Sequence, residues 1–417
     1  MASTAPTRAR YIVMGFLLGM AAIGYLDRVC ISTASLAIQH DLGITKTQMG
    51  SVFSAFILSY ALFEIPGGWL ADRFGPRAIL TRLVVSWSLM TALTGAVTGI
   101  VSLLVVRTLF GASEAGMFPG AARVITRWFP APQHGQVFGL MLMTATLGGA
   151  AAQPLAVWLQ QLTSWRWMFV IFAFTGFAWA AAWYAWFRND PHAHPKVNPA
   201  EVELIGSPPP VPHPRIPWGQ LLHSRNMWFI CLMYFSTIYG CYFYLTWLPE
   251  YLQTERGFDL KAAGWFTALT LVSMAAGNFF GGWLSDLFSR RLGLRIGRRL
   301  PGSVGLPLGA VAIVGAMFTN HPAASALLFA SAAGLVSLGV SPSWAVCLDI
   351  GSRYAGVVSG TMTTFGCFGG AISTIIVGIF LDRFHSYEAA LQLNALFYLI
   401  AAVAWQMIDA TKPISAE

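Results

Sequence analysis

Charged side chains are scarce in this sequence. Only 10% of its 417 residues are Asp, Glu, Lys or Arg, while 56% are hydrophobic and the mean hydropathy is +0.61. A soluble domain carries roughly 25% charged residues, so this chain is too apolar to face water on every side. Acidic residues are the scarcer sign, 17 against 25 Lys and Arg, for a net charge of +8. In a soluble protein that excess suggests nucleic acid; here no soluble domain exists to carry a basic face, and no nucleic-acid partner is expected. Cysteine is sparse as well. Cys30, Cys231, Cys241, Cys347 and Cys367 all sit in apolar stretches without disulfide or metal-ligand spacing, and read as small buried apolar groups. The histidines (His40, His134, His192, His194, His213, His223, His321, His385) fall in loops or at helix ends, which argues against a histidine proton relay. His192 and His194 read as solvated linker residues rather than a metal pair. There is no Gly-rich phosphate loop, catalytic triad or metal cluster, so neither an enzyme nor an ATP-driven machine is expected, and no cofactor.

What the chain does contain is long apolar runs. About 20 apolar residues span a bilayer as a helix. Twelve segments qualify: 11–36, 48–71, 78–98, 101–126, 134–159 and 166–187, then 226–252, 261–287, 300–318, 323–347, 353–381 and 387–408. Arg8 and Arg10 precede the run Tyr11–Leu26 as in a secretion signal, but Asp27 and Arg28 stand where a cleavage site would be, so the segment reads as a retained membrane helix. The stretch 188–225 is rich in proline and polar residues and reads as a loop or linker.

Loop charge sets the orientation. Of the 25 basic residues, Lys46, Arg166, Arg256, Lys261 and Arg383 fall in one set of loops, and Arg28 and Arg107 lie inside helices. The remaining 18 lie in the other set, with both termini. Both termini are therefore expected in the cytoplasm, with the protein in the inner (plasma) membrane.

The segment "GGWLADRFGPR" (Gly67–Arg77) returns as "GGWLSDLFSRR" (Gly281–Arg291), an offset of 281 − 67 = 214 residues. Each copy ends the second helix of a set of six. The chain is thus expected to be an all-α membrane protein of twelve helices: an N-terminal six-helix half (1–187), a cytoplasmic linker (188–225) and a C-terminal half (226–417). Transporters built as repeats bind substrate near the midplane and rock one half against the other. The repeat's glycines allow close helix approach. Asp72 and Asp286 end a helix beside basic residues, where each can pair with an arginine or a helix N-terminus.

The first copy resembles the loop signature of the major facilitator superfamily, and twelve helices in two halves fit that family along essentially the whole chain. "YLDRVCIS", "ALFEIPGGWLADRFG", "RTLFGASEAGMFPG" and "SWRWMF", in order, are similar to its anion:cation symporter branch, which includes bacterial sugar-acid importers and animal vesicular organic-anion carriers. The resemblance implies a gating latch at Asp72, Arg73, Arg77 and Asp286. It implies proton coupling by Asp27 and Glu114, and substrate contact by Arg28 or Arg107 and by Tyr60.

The residues support this independently. A charge at the centre of a membrane helix costs about 2.5–3.5 kcal/mol, so an ionisable group there is a functional candidate. Asp27, Arg28, Glu64, Arg107 and Glu114 all lie well inside helices of the first half. Arg107 and Glu114 are seven residues apart, on nearly one helical face and about 10 Å apart along the axis. Arginine offers a forked donor to a carboxylate, and a buried glutamate can carry a proton. Glu64 stands where the family usually has glutamine; it is either a third titrating group or a hydrogen-bonded replacement. In the second half, "YFSTIYGCYFYLTW" (Tyr234–Trp247) supplies mostly packing rings, with Tyr239 and Tyr242 as candidates to reach the substrate. Cys367 stands where sugar-acid carriers place asparagine, which suits a less hydroxylated substrate. The expected function is proton-coupled symport of an organic carboxylate, a sugar acid or relative, by a monomer in the lipid bilayer. The alternative is an exporter of apolar or drug-like compounds on the same fold; Arg28 and Arg107 argue against cationic cargo.

Overall fold

The computed structural model describes residues 5–130, 133–206, 223–351 and 355–412, and every regular element among them is helical. The first half contains Ala9–Thr33 with the short Ser35–Leu42, Lys46–Phe74, Pro76–Thr94, Ile100–Glu114 with Met117–Trp128, His134–Leu162 and Trp165–Trp186. The second contains Arg225–Thr246 with Leu248–Thr254, Leu260–Leu292, Leu294–Phe318, Pro322–Ser337 with Val340–Gly351, Ala355–Phe384 and Glu388–Met407. Ten of these stretches are long and apolar enough to cross a membrane; Lys46–Phe74 and Pro76–Thr94 bring the long helical stretches to the twelve expected.

Four expected continuous helices are broken: the first span of each half, at Ala34 and Trp247, and the fourth, whose breaks are informative. The fourth span of each half is interrupted, at Ala115–Gly116 and at Leu338–Gly339. The leading glycine of each sequence repeat packs on the corresponding break. A Cβ added at Gly67 would stand 2.6 Å from the Cα of Gly116, and one at Gly281 would strike the backbone of Leu338. The repeated motif is therefore also a repeated contact between the second and fourth spans of a half. Only a residue without a Cβ permits that approach.

The linker is more ordered than its composition indicates. Asn198 caps a short helix, Pro199–Ile205, by accepting from the Glu201 amide at 3.0 Å. Glu201 is fully buried and accepts from the backbone N–H of Ala9 (3.3 Å) and Arg10 (3.2 Å), from Arg10 Nη1 (3.2 Å) and from the Thr7 hydroxyl. It satisfies the otherwise unpaired first turn of the opening helix, so this part of the linker is built onto the first half. The proline-rich remainder, 207–222, lies outside the described residues.

Contacts divide the chain differently from the repeat. Among the described residues, one compact unit is drawn from 1–30, 58–152 and 159–213, and the other from 31–57, 153–158 and 214–417. In the second unit, the start of Lys46–Phe74 lies against Ala355–Phe384. A Cβ at Gly378 would press on the backbone of Lys46 and Thr47, and one at Gly50 on that of Thr374. Asp382 accepts the backbone N–H of Lys46 (3.1 Å) and Thr47 (2.8 Å), which have no partner within their own helix. That explains why a segment of the first repeat belongs with the second unit.

Candidate functional site

The five intramembrane charges converge in the first compact unit. Arg28 Nη2 stands 3.1 Å from Glu114 Oε1; the glutamate side chain is fully buried and the arginine side chain 15% exposed. The Arg28 guanidinium lies over the rings of Tyr25 and Tyr60, 4.8 Å from each centroid. Glu64, half-buried, faces Arg28 as well. Asp27, one residue earlier, is fully buried; it shares Glu114 with Arg28 and differs from it in lying near Arg107, Thr91 and Trp87. The 100° step between adjacent helical residues makes this difference possible. Arg107 is buried over the Phe110 ring at 4.5 Å, within reach of the fields of Glu114 and Asp27. Arg107 and Glu114 thus share the buried face of Ile100–Glu114, as their seven-residue spacing requires.

One contributor carried no sequence signal. A Cβ at Gly24 would come within 3.1 Å of Glu114 Oε1 and 3.0 Å of Met117 Sδ. Gly24 leaves room for the carboxylate, and in sequence it is one of 41 glycines.

The candidate gating residues are dispersed. Arg77 donates from Nε and Nη2 to the Tyr184 carbonyl at 3.0 and 2.6 Å, and its backbone N–H donates to Asn189 Oδ1. Arg73 is exposed, over the Trp69 ring at 5.2 Å. Asp286 accepts from Arg298 Nη1 at 2.7 Å, and the same guanidinium reaches Asp349 at 2.8 Å through Nε. The expected aspartate–arginine pairing is present in the second copy, with the arginine coming from the next helix. The side chain of Asp72 lies outside the described residues.

In the second unit, Tyr239 is fully buried with its ring 4.1 Å from that of Phe397, while half-buried Tyr242 covers Gly370. Cys367 is buried. Glu250, near the end of the expected span 226–252, carries no signal in the sequence. It is fully buried and accepts from Lys46 Nζ (2.6 Å), Ser35 Oγ (2.8 Å) and Gln39 Nε2 (2.7 Å). Its partners are more than 200 residues away in sequence, so no local pattern announces them. Among the described residues no cluster of His, Cys, Asp or Glu has the arrangement of a metal site.

Comparison with known proteins places this geometry in context. The chain is 33% identical over 407 residues to a probable sulfoacetate transporter, SauU, of Cupriavidus necator, covering 96% of this chain and 94% of that protein. It is 31% identical to a D-galactonate transporter of Escherichia coli, with 97% and 96% covered, and 30% identical to a hexuronate transporter of Bacillus subtilis, with 96% and 94% covered. Among solved structures, a bacterial homolog of the human lysosomal transporter Spinster, in an inward-facing and occupied conformation, matches with a TM-score of 0.79 over 95% of this chain and 96% of that one, at 20% identity, a likeness of fold. The Major Facilitator Superfamily model matches residues 17–374. With the twelve-helix fold, the glycine contact repeated in each half and this match along most of its length, the chain belongs to the major facilitator superfamily of membrane transporters, which are not enzymes.

Proposed function

We propose that this protein imports an organic carboxylate together with protons, by alternating access, through the plasma membrane, with both termini in the cytoplasm. The carrying observation is the charge balance of the first unit. Three carboxylates (Asp27, Glu64, Glu114) face two guanidiniums (Arg28, Arg107). An arriving carboxylate adds a further negative charge. An unneutralised charge at that depth costs about 2.5–3.5 kcal/mol, so anion entry favours protonation of a carboxylate in the cluster. Arg107 offers the fork for the anion; Glu114, held by Arg28, releases that arginine when it takes up a proton. The proton is the coupling ion, no other cofactor is needed, and the chain acts as a monomer.

The relatives named for D-galactonate, hexuronate and sulfoacetate support an organic acid as cargo. Cys367, which lacks an amide's donors, favours an acid with fewer hydroxyls, such as a short sulfonated or dicarboxylic acid. The test is uptake into proteoliposomes with an imposed inside-alkaline gradient, after a counterflow screen of sulfoacetate, galactonate and hexuronates. Equal uptake with and without a pH gradient or membrane potential would refute the coupling, and absence of counterflow by every acid would refute the cargo class.

A further inference from the structure

At the start of the first helix, the chain and the linker enclose an open cleft of about 800 Å³ lined by Arg8, Ala9, Tyr11, Ile12 and Lys196. Its two cations come from segments 188 residues apart (196 − 8), yet the backbone of each segment is tied down. Arg8 precedes the helix whose first turn Glu201 ties to the linker, and the Thr7 amide donates to Asn198 Oδ1 at 3.1 Å. Lys196 follows His194, whose ring accepts the Lys196 amide at 3.2 Å and is itself packed against Trp128 and Trp186. Among the described residues neither Arg8 nor Lys196 forms an ion pair, whereas the adjacent Arg10 is neutralised by Glu201. The wall on the helix side is apolar and open: Tyr11 and Ile12 are each 46% exposed. The Tyr11 hydroxyl accepts from Arg10 Nη2 at 3.4 Å and its ring centroid lies 4.7 Å from the Arg10 guanidinium; an exposed tyrosine beside a cation at the end of a membrane span is an arrangement that seats at a headgroup.

We propose that this cleft binds an anionic phospholipid, with Arg8 and Lys196 on the phosphate and Tyr11 and Ile12 along the start of the acyl chain. A soluble phosphate would use the cations but not the apolar wall. The volume fits a headgroup, and two uncompensated cations beside exposed apolar surface complement a lipid anion. The proposed orientation enters only in naming the leaflet, the cytoplasmic one. The lipid would bridge the first helix and the linker, joining two segments that Glu201 already ties together.

The test is lipid retention by the full chain in detergent, measured by native mass spectrometry after incubation with phosphatidylglycerol or phosphatidylcholine. Each cation near an anionic headgroup contributes about fivefold, so phosphatidylglycerol should be preferred by on the order of 25-fold. Arg8→Gln with Lys196→Gln should bring the two lipids near parity. Either single variant should cost about fivefold, which keeps the test decisive if the double variant is unstable. Arg290→Gln with Arg291→Gln, which neutralises exposed cations in the second half, should change nothing, and millimolar inorganic phosphate should not displace the lipid. Equal retention of the two lipids, loss equal in the control pair, or displacement by inorganic phosphate would overturn the proposal. None of these readings depends on transport, so failure here is distinguishable from failure of the proposed coupling.

Discussion

Glu114→Gln separates binding from coupling. Glutamine keeps the shape of the carboxyl group and cannot ionise, so it imitates the protonated state. Structurally it removes the ion pair to Arg28, 3.1 Å away. Breaking a fully buried pair costs about 3–5 kcal/mol, because the other charge is left uncompensated. Here Arg28 retains 15% exposure and remains over two tyrosine rings at 4.8 Å. The loss should be nearer 2 kcal/mol, and the variant should fold. Its functional effect should be much larger. An inside-alkaline gradient of one pH unit supplies about 1.36 kcal/mol per proton, enough for about tenfold accumulation in electroneutral one-proton coupling. The unmodified protein should reach about that ratio, while Glu114→Gln should remain near unity because no proton can leave. Exchange of labelled for unlabelled substrate should persist in the variant. Both assays run on one preparation of proteoliposomes. About tenfold accumulation by the variant would refute the reasoning and pass the coupling role to Asp27 or Glu64. Glu64→Gln, which restores the residue usual in similar carriers, is the control and should preserve transport.

Arg107→Lys keeps the charge and loses the fork, so substrate affinity measured by thermal shift should fall by about tenfold or more; unchanged affinity removes Arg107 from the anion site. Asp286→Ala breaks a pair whose aspartate side chain is 62% exposed; stability should fall by less than about 1 kcal/mol while turnover slows more than binding weakens, and normal turnover would refute a gating role. Glu250→Gln leaves Lys46 without its carboxylate, so hydrogen–deuterium exchange in Ser35–Leu42 should quicken by at least about fivefold; identical exchange would show that Glu250 does not hold that segment. Burial holds the His194 imidazole below its ordinary value of about 6.5. A lowered histidine stabilises the fold above that value, and the benefit fades as pH falls below it. Protection in Pro191–Ile205, taken relative to the intrinsic exchange rate at each pH, should therefore fall from about pH 7.5 to about 5.5, and His194→Gln should flatten the change; pH-independent protection in the unmodified protein would count against it.

The sequence alone determined the class and most of the candidate cluster. Apolar runs of membrane length, charge asymmetry between loops and a motif repeated at 214 residues are local or periodic signals, and local signals survive without coordinates. The same holds for Asp27, Arg28, Glu64, Arg107 and Glu114, because an ionisable residue inside an apolar helix stands out against its neighbours whatever the tertiary arrangement. What stood out gave identity but not partnership. That Arg28 takes Glu114 while Asp27 lies near Arg107, that Gly24 leaves space for a carboxylate, and that Gly67 and Gly281 rest on the breaks of the fourth spans depend on how helices pack. Glu250 and Glu201 were illegible for the same reason. Each lies near a helix end, where a carboxylate is ordinary, and each is fully buried only because a segment about 200 residues away folds over it. Sequence spacing encodes which residues share one helical face; which faces meet is decided by the packing of the whole chain, and there the proposed lipid cleft and the contacts of the candidate gating residues are made.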